Sequence, residues 1–174
     1  MLLRGINLGS RNRIAMPALR EAFADAGFED VQTYLQSGSV VLSSGAAAKT
    51  VARKCEAVIA DRFGLEIAVV VRTRAELAAI VRRNPLGDVA EDPKRYQVSF
   101  LDRKPKVEVM RKLEAFAASG ERLVASGREL YAWHPKGVAR SKLWAALAGR
   151  GLGVKATARN WTTVTKLLEL ADAK

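Results

Sequence analysis

The chain has 174 residues, 49% of them hydrophobic, and a formal net charge of +11, with 29 Lys and Arg against 18 Asp and Glu. That length and apolar content suit one large domain or two small ones in close contact around a buried core. No run approaches the roughly 18 uninterrupted apolar residues of a membrane span, the N-terminus lacks a signal-peptide core, and lone Cys55 and lone His134 exclude an internal disulfide and a Cys/His zinc cluster.

A cytoplasmic location follows as the expectation, with no cofactor, no metal and no membrane partner. The charge is localised. Residues 1–20 carry Arg4, Arg11, Arg13 and Arg20 and no acid, and between Glu129 and Glu169 stand seven Lys and Arg and no acid. These two stretches account for the whole net charge. They point to an anionic small molecule as partner, with nucleic acid as the alternative and a solvated basic face as the plain reading.

In chain order, Met1 to Leu8 begins as a short strand and breaks at Arg4-Gly5-Ile6-Asn7 into a glycine-containing loop. Pro17 suits a first helical turn, and Leu19, Phe23 and Ala26 recur at helical spacing until Gly27. Val31–Leu35 reads as a strand, Gln36-Ser37-Gly38 as a tight turn and Ser39–Leu42 as the returning strand. Thr50–Phe63 carries Val51, Cys55, Val58 and Ile59 on one helical face and stops at Gly64, and the β-branched run Ile67–Val71 follows. Thr73–Arg83 is a helix, and Leu86–Pro93, acidic and aperiodic, is the linker candidate.

The second half repeats this order: strand Arg95–Leu101, helix Val107–Ala118, hairpin Arg122–Ala125 with Glu129–Trp133, helix Arg140–Gly149, strand Lys155–Ala158, then a closing helix from Asn160 to Ala171. The pattern predicts an α+β protein of two tandem ferredoxin-like (β-α-β-β-α-β) halves, residues 1–85 with a connecting helix and 94–174 with a C-terminal helix, packed as one globular unit. In such a unit the end of the first strand lies at the edge that carries the hairpin turn. Arg4, Gly5, Ile6 and Asn7 should therefore meet Gln36, Ser37 and Gly38, and Arg140, Ser141 and Lys142 should meet Arg159, Asn160 and Trp161.

That second cluster is the sharpest candidate, because two helix starts with two Arg and one Lys offer N–H groups and cations to phosphate or carboxylate oxygens. The alternative is that Ser141 and Asn160 are N-caps with solvated cations beside them. Trp161 and Trp144 read as packing residues. Tyr131 and Trp133 on one strand face could form an RNA platform, although the basic-glycine-aromatic signature of RNA-binding strands is missing. His134 before Pro135 reads as a turn residue ahead of a catalytic base, and Cys55 as core. No GxGxxG or GxxxxGK loop and no paired carboxylates stand out. A phosphoryl-directed enzyme stays open as a third reading.

The blocks LLRGINLGS, MPALREAFADAGFEDVQTYLQSGSVV, GVARSKL and ATARNWTTVTKLLEL resemble the bacterial family known as domain of unknown function 1697. The resemblance implies an α+β fold and no established activity. It marks as site candidates Arg4, Asn7, Gln36, Ser37, Gly38, Arg140, Ser141, Lys142, Arg159, Asn160 and Trp161. Members usually carry a few more residues before LLRGIN, so the first strand is expected to be short here. Ser39, Ala139 and Thr162 replace the family's usual Asn, Gly and Asn.

Overall fold

The computed structural model describes residues 1–148 and 152–173. The elements are β1 (Leu2–Leu3), α1 (Met16–Asp25), β2 (Glu29–Tyr34), β3 (Ser39–Ser43), α2 (Ala48–Phe63), β4 (Val69–Val70), α3 (Arg74–Arg83), β5 (Tyr96–Leu101), α4 (Val107–Ala115), β6 (Arg122–Ser126), β7 (Glu129–Trp133), α5 (Lys142–Ala148), β8 (Ala156–Asn160) and α6 (Trp161–Asp172). The protein is α+β, with two four-stranded sheets ordered β2-β3-β1-β4 and β6-β7-β5-β8, and every neighbouring pair is antiparallel. The chain divides into two units, Met1–Glu76 with Leu167–Lys174 and Leu77–Lys166.

In the first unit, α1 buries Met16, Leu19, Ala22 and Phe23, and α2 buries Val51, Cys55 and Ile59 at intervals of one turn. These stripes share one core with Leu3 and Val40 of the sheet. Burial pushes the Cys55 thiol up to about 12, so it stays protonated. The end of α6 is tied to the start of α3 in this unit, where Arg74 Nε donates to Asp172 Oδ1 at 2.6 Å.

β1 and β4 have only two residues each, shorter than the runs suggest. Leu2 pairs with Ser39 and Val70, Leu3 pairs with Val69, and the chain then leaves the sheet at Gly5, whose φ is +65°. The β2–β3 turn is fixed by close packing. Gly38 has φ +72° and donates no side chain to a space already filled: a Cβ there would lie 2.6 Å from Ile6 Cδ1 and 2.8 Å from Leu3 Cβ. Leu3 N donates to Gly38 O at 2.9 Å. The turn is thus pressed against the chain as it leaves β1.

In the second unit β5 and β7 are buried along their whole length. Leu101, Leu130 and Ala132 face Leu113 of α4 and Leu143 and Leu147 of α5. Three of the element boundaries that differ from the sequence reading do so for a local reason. α4 stops at Ala115 instead of Ala118, because Glu121 takes the Ala118 N–H at 2.9 Å and turns the chain into β6. α5 begins at Lys142 instead of Arg140, because Ser141 Oγ caps it by accepting the Trp144 N–H at 2.9 Å. β8 runs on to Asn160, paired with Gln97, so α6 starts directly at Trp161. Gly149, the expected end of α5, lies outside the described residues. Leu86, in the stretch expected to be a linker, is buried.

Gly38→Ala should destabilise the fold by about 3 kcal/mol, combining the left-handed backbone cost with overpacking against Leu3. Gly64→Ala, equally left-handed at φ +64° but with nothing within 4 Å of the added carbon, should cost only about 1 kcal/mol. Denaturant unfolding of the two variants measures the difference.

Candidate functional site

The loop from Arg4 to Arg13 and the turn Leu35–Gly38 are joined by one side chain. Asn7, itself at φ +53°, has its Nδ2 donating to Ile14 O at 3.0 Å and to Gln36 O at 2.9 Å, while its Oδ1 accepts the Ile14 N–H at 2.9 Å. Asparagine tolerates that backbone region, and its amide can donate and accept at once. Asn12, at φ +50°, donates through Nδ2 to Gly5 O at 3.0 Å, and its own carbonyl accepts the Asn7 N–H at 3.0 Å. The tip Leu8-Gly9-Ser10-Arg11 closes with Arg11 N donating to Leu8 O at 3.2 Å. The predicted meeting of Arg4-Gly5-Ile6-Asn7 with Gln36-Ser37-Gly38 is therefore found.

Every residue from Leu8 to Arg13 is exposed. Among the described residues neither Arg11 nor Arg13 forms an ion pair. Arg20 stands beside β2, donating to Thr33 Oγ1 at 2.7 Å. Gln36 is exposed, and Arg4 and Ser37 are half-buried. Asn7 and Gly38 thus hold the geometry, and Arg11, Arg13 and Gln36 are exposed beside it.

The second cluster is arranged differently from the sequence expectation. Arg159 pairs with Val98, which also pairs with Tyr131, so alternation sends its side chain to the sheet face opposite α4 and α5. It is 8% exposed, and its Nη1 donates to Thr157 Oγ1 at 2.9 Å and Ala158 O at 2.7 Å. Burial pulls its guanidinium down to about 10, still protonated at neutral pH. Asn160 Oδ1 accepts the Thr163 N–H at 2.9 Å and so caps α6. Trp161 stacks on Tyr96 with ring centroids 4.8 Å apart and planes at 14°. Ser141 caps α5, and Arg140 and Lys142 are exposed. Arg159 and the Arg140–Lys142 turn thus belong to opposite faces of one sheet edge, and Ser141 and Asn160 take the N-cap roles weighed as the alternative.

What Ser141 meets instead is Glu121. Arg122 pairs with Trp133 in the β6–β7 hairpin, so the next residues outward, Glu121 and His134, come opposite each other. His134 Nδ1 lies 2.6 Å from Glu121 Oε1, and Ser141 Oγ donates to the same oxygen at 2.6 Å. Glu121 Oε2 accepts the Ala118 N–H. Burial pushes this carboxyl up, but the hydrogen bonds from Ser141, Ala118 and His134 outweigh it and hold it below its ordinary value of 4.5. His134 is fully buried at 0% exposure, edge-on to the Trp144 ring with centroids 6.0 Å apart. Its Nε2 has no hydrogen-bond partner among the described residues.

The sequence reads His134 as a turn residue, and nothing in the local pattern pairs it with Glu121 or Ser141. Counting the hairpin register outward from the Gly127-Arg128 turn would have placed Glu121 against His134. The trio does not make a nucleophile. The Ser141 hydroxyl donates to the carboxylate and accepts from a backbone N–H, so it is not hydrogen-bonded to an imidazole that could take its proton. It ties α4, the β6–β7 hairpin and α5 together. The aromatic platform is closed as well, since Tyr131 and Trp133 are both buried. No group of three or more His, Cys, Asp or Glu among the described residues could hold a metal ion, and no helix among them is long and apolar enough to cross a membrane.

Comparison with known proteins supplies a family and a fold. A family model described as "Protein of unknown function (DUF1697)" matches residues 1–131, which takes in the loop and turn of the first unit and ends ahead of the GVARSKL and ATARNWTTVTKLLEL blocks. The solved structure of the conserved bacterial protein SP0830 from Streptococcus pneumoniae is similar, with a TM-score of 0.70, 20% identity, and coverage of 98% of this chain and 96% of that one. At that identity the likeness shows the α+β fold alone. None of the curated proteins matches this chain significantly.

The Glu121 carboxylate makes the stability of the fold depend on pH. Its folded pKa is depressed, so its contribution is present above the ordinary value of 4.5 and is lost as pH falls through the folded value. Glu121→Gln should cost about 1–3 kcal/mol at pH 7, since it loses charge-assisted hydrogen bonds and sets an amide among donors. Urea unfolding of wild type and variant between pH 7 and pH 3 should show the two stabilities converging as the pH drops.

Proposed function

This chain belongs to that family of unknown function, and we propose that it is a binding module for a phosphorylated or otherwise anionic ligand. Arg4, Arg11 and Arg13 of the first unit take the anion, and Gln36 and Ser37 on the adjoining turn add amide and hydroxyl contacts. The observation that carries this reading is that an acid-free, arginine-bearing loop is exposed along Leu8–Arg13 and is fixed from within by Asn7 and Asn12. A held loop gives up less conformational entropy on binding than a free one. Arginine rather than lysine suits phosphate, because its planar fork can engage two oxygens at once.

Arg159, Asn160, Ser141 and Trp161 support the fold in this reading. Arg140 and Lys142 form a separate exposed cationic pair. The nucleic-acid alternative keeps its charge and loses its aromatic surface. A phosphoryl-directed enzyme would need a base or metal-ligating side chains beside the arginines, and residues 4–13 contain no Asp, Glu, His, Cys or Lys. A cytoplasmic location goes with the proposal, supported by lone, buried Cys55. We also read each unit as ferredoxin-like, on the ground that both sheets follow the same strand order with all pairs antiparallel.

Thermal-shift titration with inorganic pyrophosphate, nucleotides and sugar phosphates tests the proposal. A ligand present at 100 times its Kd should stabilise the wild type by about 2.7 kcal/mol. The double variant Arg11→Ser/Arg13→Ser should keep its unliganded Tm and lose the shift. No shift in wild type for any of these compounds, or an equal shift in the variant, would contradict it.

A further inference from the structure

Two large apolar side chains stand out at the same place. Leu8 is 68% exposed and Leu35 57% exposed, and they flank the residues joined by the Asn7–Gln36 bond. Leu35 is also strained. Its φ of +58° is a conformation that a bulky side chain adopts only at a cost, and glycine or asparagine would fill the position more easily. A leucine kept exposed at a strained turn lowers stability, and strain of this kind concentrates at binding sites. The loop tip is a continuous exposed run from Leu8 to Arg13, so it is open to a partner.

We propose that Leu8 and Leu35, with Arg4, Arg11 and Arg13 around them, dock this unit onto the surface of an anionic phospholipid bilayer. The inference rests on the reading that the loop's arginines bind phosphate, and it names where that phosphate is carried. A phospholipid surface supplies both halves of the required chemistry, headgroup phosphates for the guanidinium groups and acyl chains for the leucines. Nucleic acid supplies the phosphates, but its bases stack on aromatic rings, and the two apolar side chains here are aliphatic. A second copy of the chain would bring like charge against like. The absence of membrane-spanning helices among the described residues bears only on spanning, and a peripheral contact needs none.

Co-sedimentation of the full chain with vesicles tests this, using phosphatidylcholine alone and phosphatidylcholine mixed with phosphatidylglycerol. Wild type should sediment with the anionic vesicles, more weakly as salt rises, and not with the neutral ones. Leu8→Ser/Leu35→Asn should bind the anionic vesicles roughly tenfold or more weakly, on the burial worth of an aliphatic side chain. The same variant should melt no lower than wild type and keep its pyrophosphate shift, whereas Arg11→Ser/Arg13→Ser should lose both activities. Wild type failing to bind anionic vesicles, or the leucine variant binding as wild type does, overturns the inference. If pyrophosphate still shifts wild type, the phosphate-binding reading survives that failure; if it does not, both fall. Loss of single-stranded RNA binding in the arginine variant, with no vesicle binding by wild type, would assign the surface to nucleic acid instead.

Discussion

The side chain of Asn7 ties the two ends of the basic loop to the β2–β3 turn. Its amide reaches Ile14 on one side and Gln36 on the other, so a single residue closes the basic loop on itself and holds the β2–β3 turn against it. The turn can approach that closely because Gly38 offers no Cβ to Ile6 and Leu3. Without this clamp the arginines would sit on a ten-residue loop free to sample many shapes, and Leu35 would have no reason to remain in a left-handed conformation. The candidate site depends on the fold through these two residues.

The two units share strand order and the alternation of helix and strand, yet they spend their polar residues differently. In the first, polar side chains fix a loop from within and leave cations outside. In the second they are turned inward. Glu121 gathers Ser141, His134 and the Ala118 N–H, Arg159 is satisfied by Thr157 and Ala158, and Asn160 caps α6. A carboxylate receiving three donors is a strong local tie, and it joins α4, the β6–β7 hairpin and α5 across at most 20 residues of sequence. The same residue types, arginine, asparagine and serine beside a turn, thus lie on an exposed, fixed loop in one unit and serve cohesion in the other.

Much of this was legible from the sequence. Apolar spacing marks the helices, and the repeated order of strands and helices anticipates two four-stranded sheets. The meeting of Asn7 with Gln36 followed from topology alone. What topology could not give was the face on which a side chain leaves its strand. Arg159 lies at the edge expected for it but points away from Ser141, because it alternates with Ala158 and Asn160 along β8. The exact caps were also beyond reach, since Ser141 and Asn160 read equally well as ligand groups and as helix starts. The Glu121–His134 pair lay within reach through hairpin register, but only with the turn placed at Gly127-Arg128.

The anion-binding surface we propose belongs to the loop and turn of the first unit. Backbone amide chemical shifts of the isotopically labelled protein, followed during titration with inorganic pyrophosphate, address it most directly. The account predicts perturbations concentrated in residues 4–13 and 35–38, with residues 140–142 and 159–161 unmoved. Perturbations confined to residues 140–142 and 159–161, with the loop silent, would contradict it.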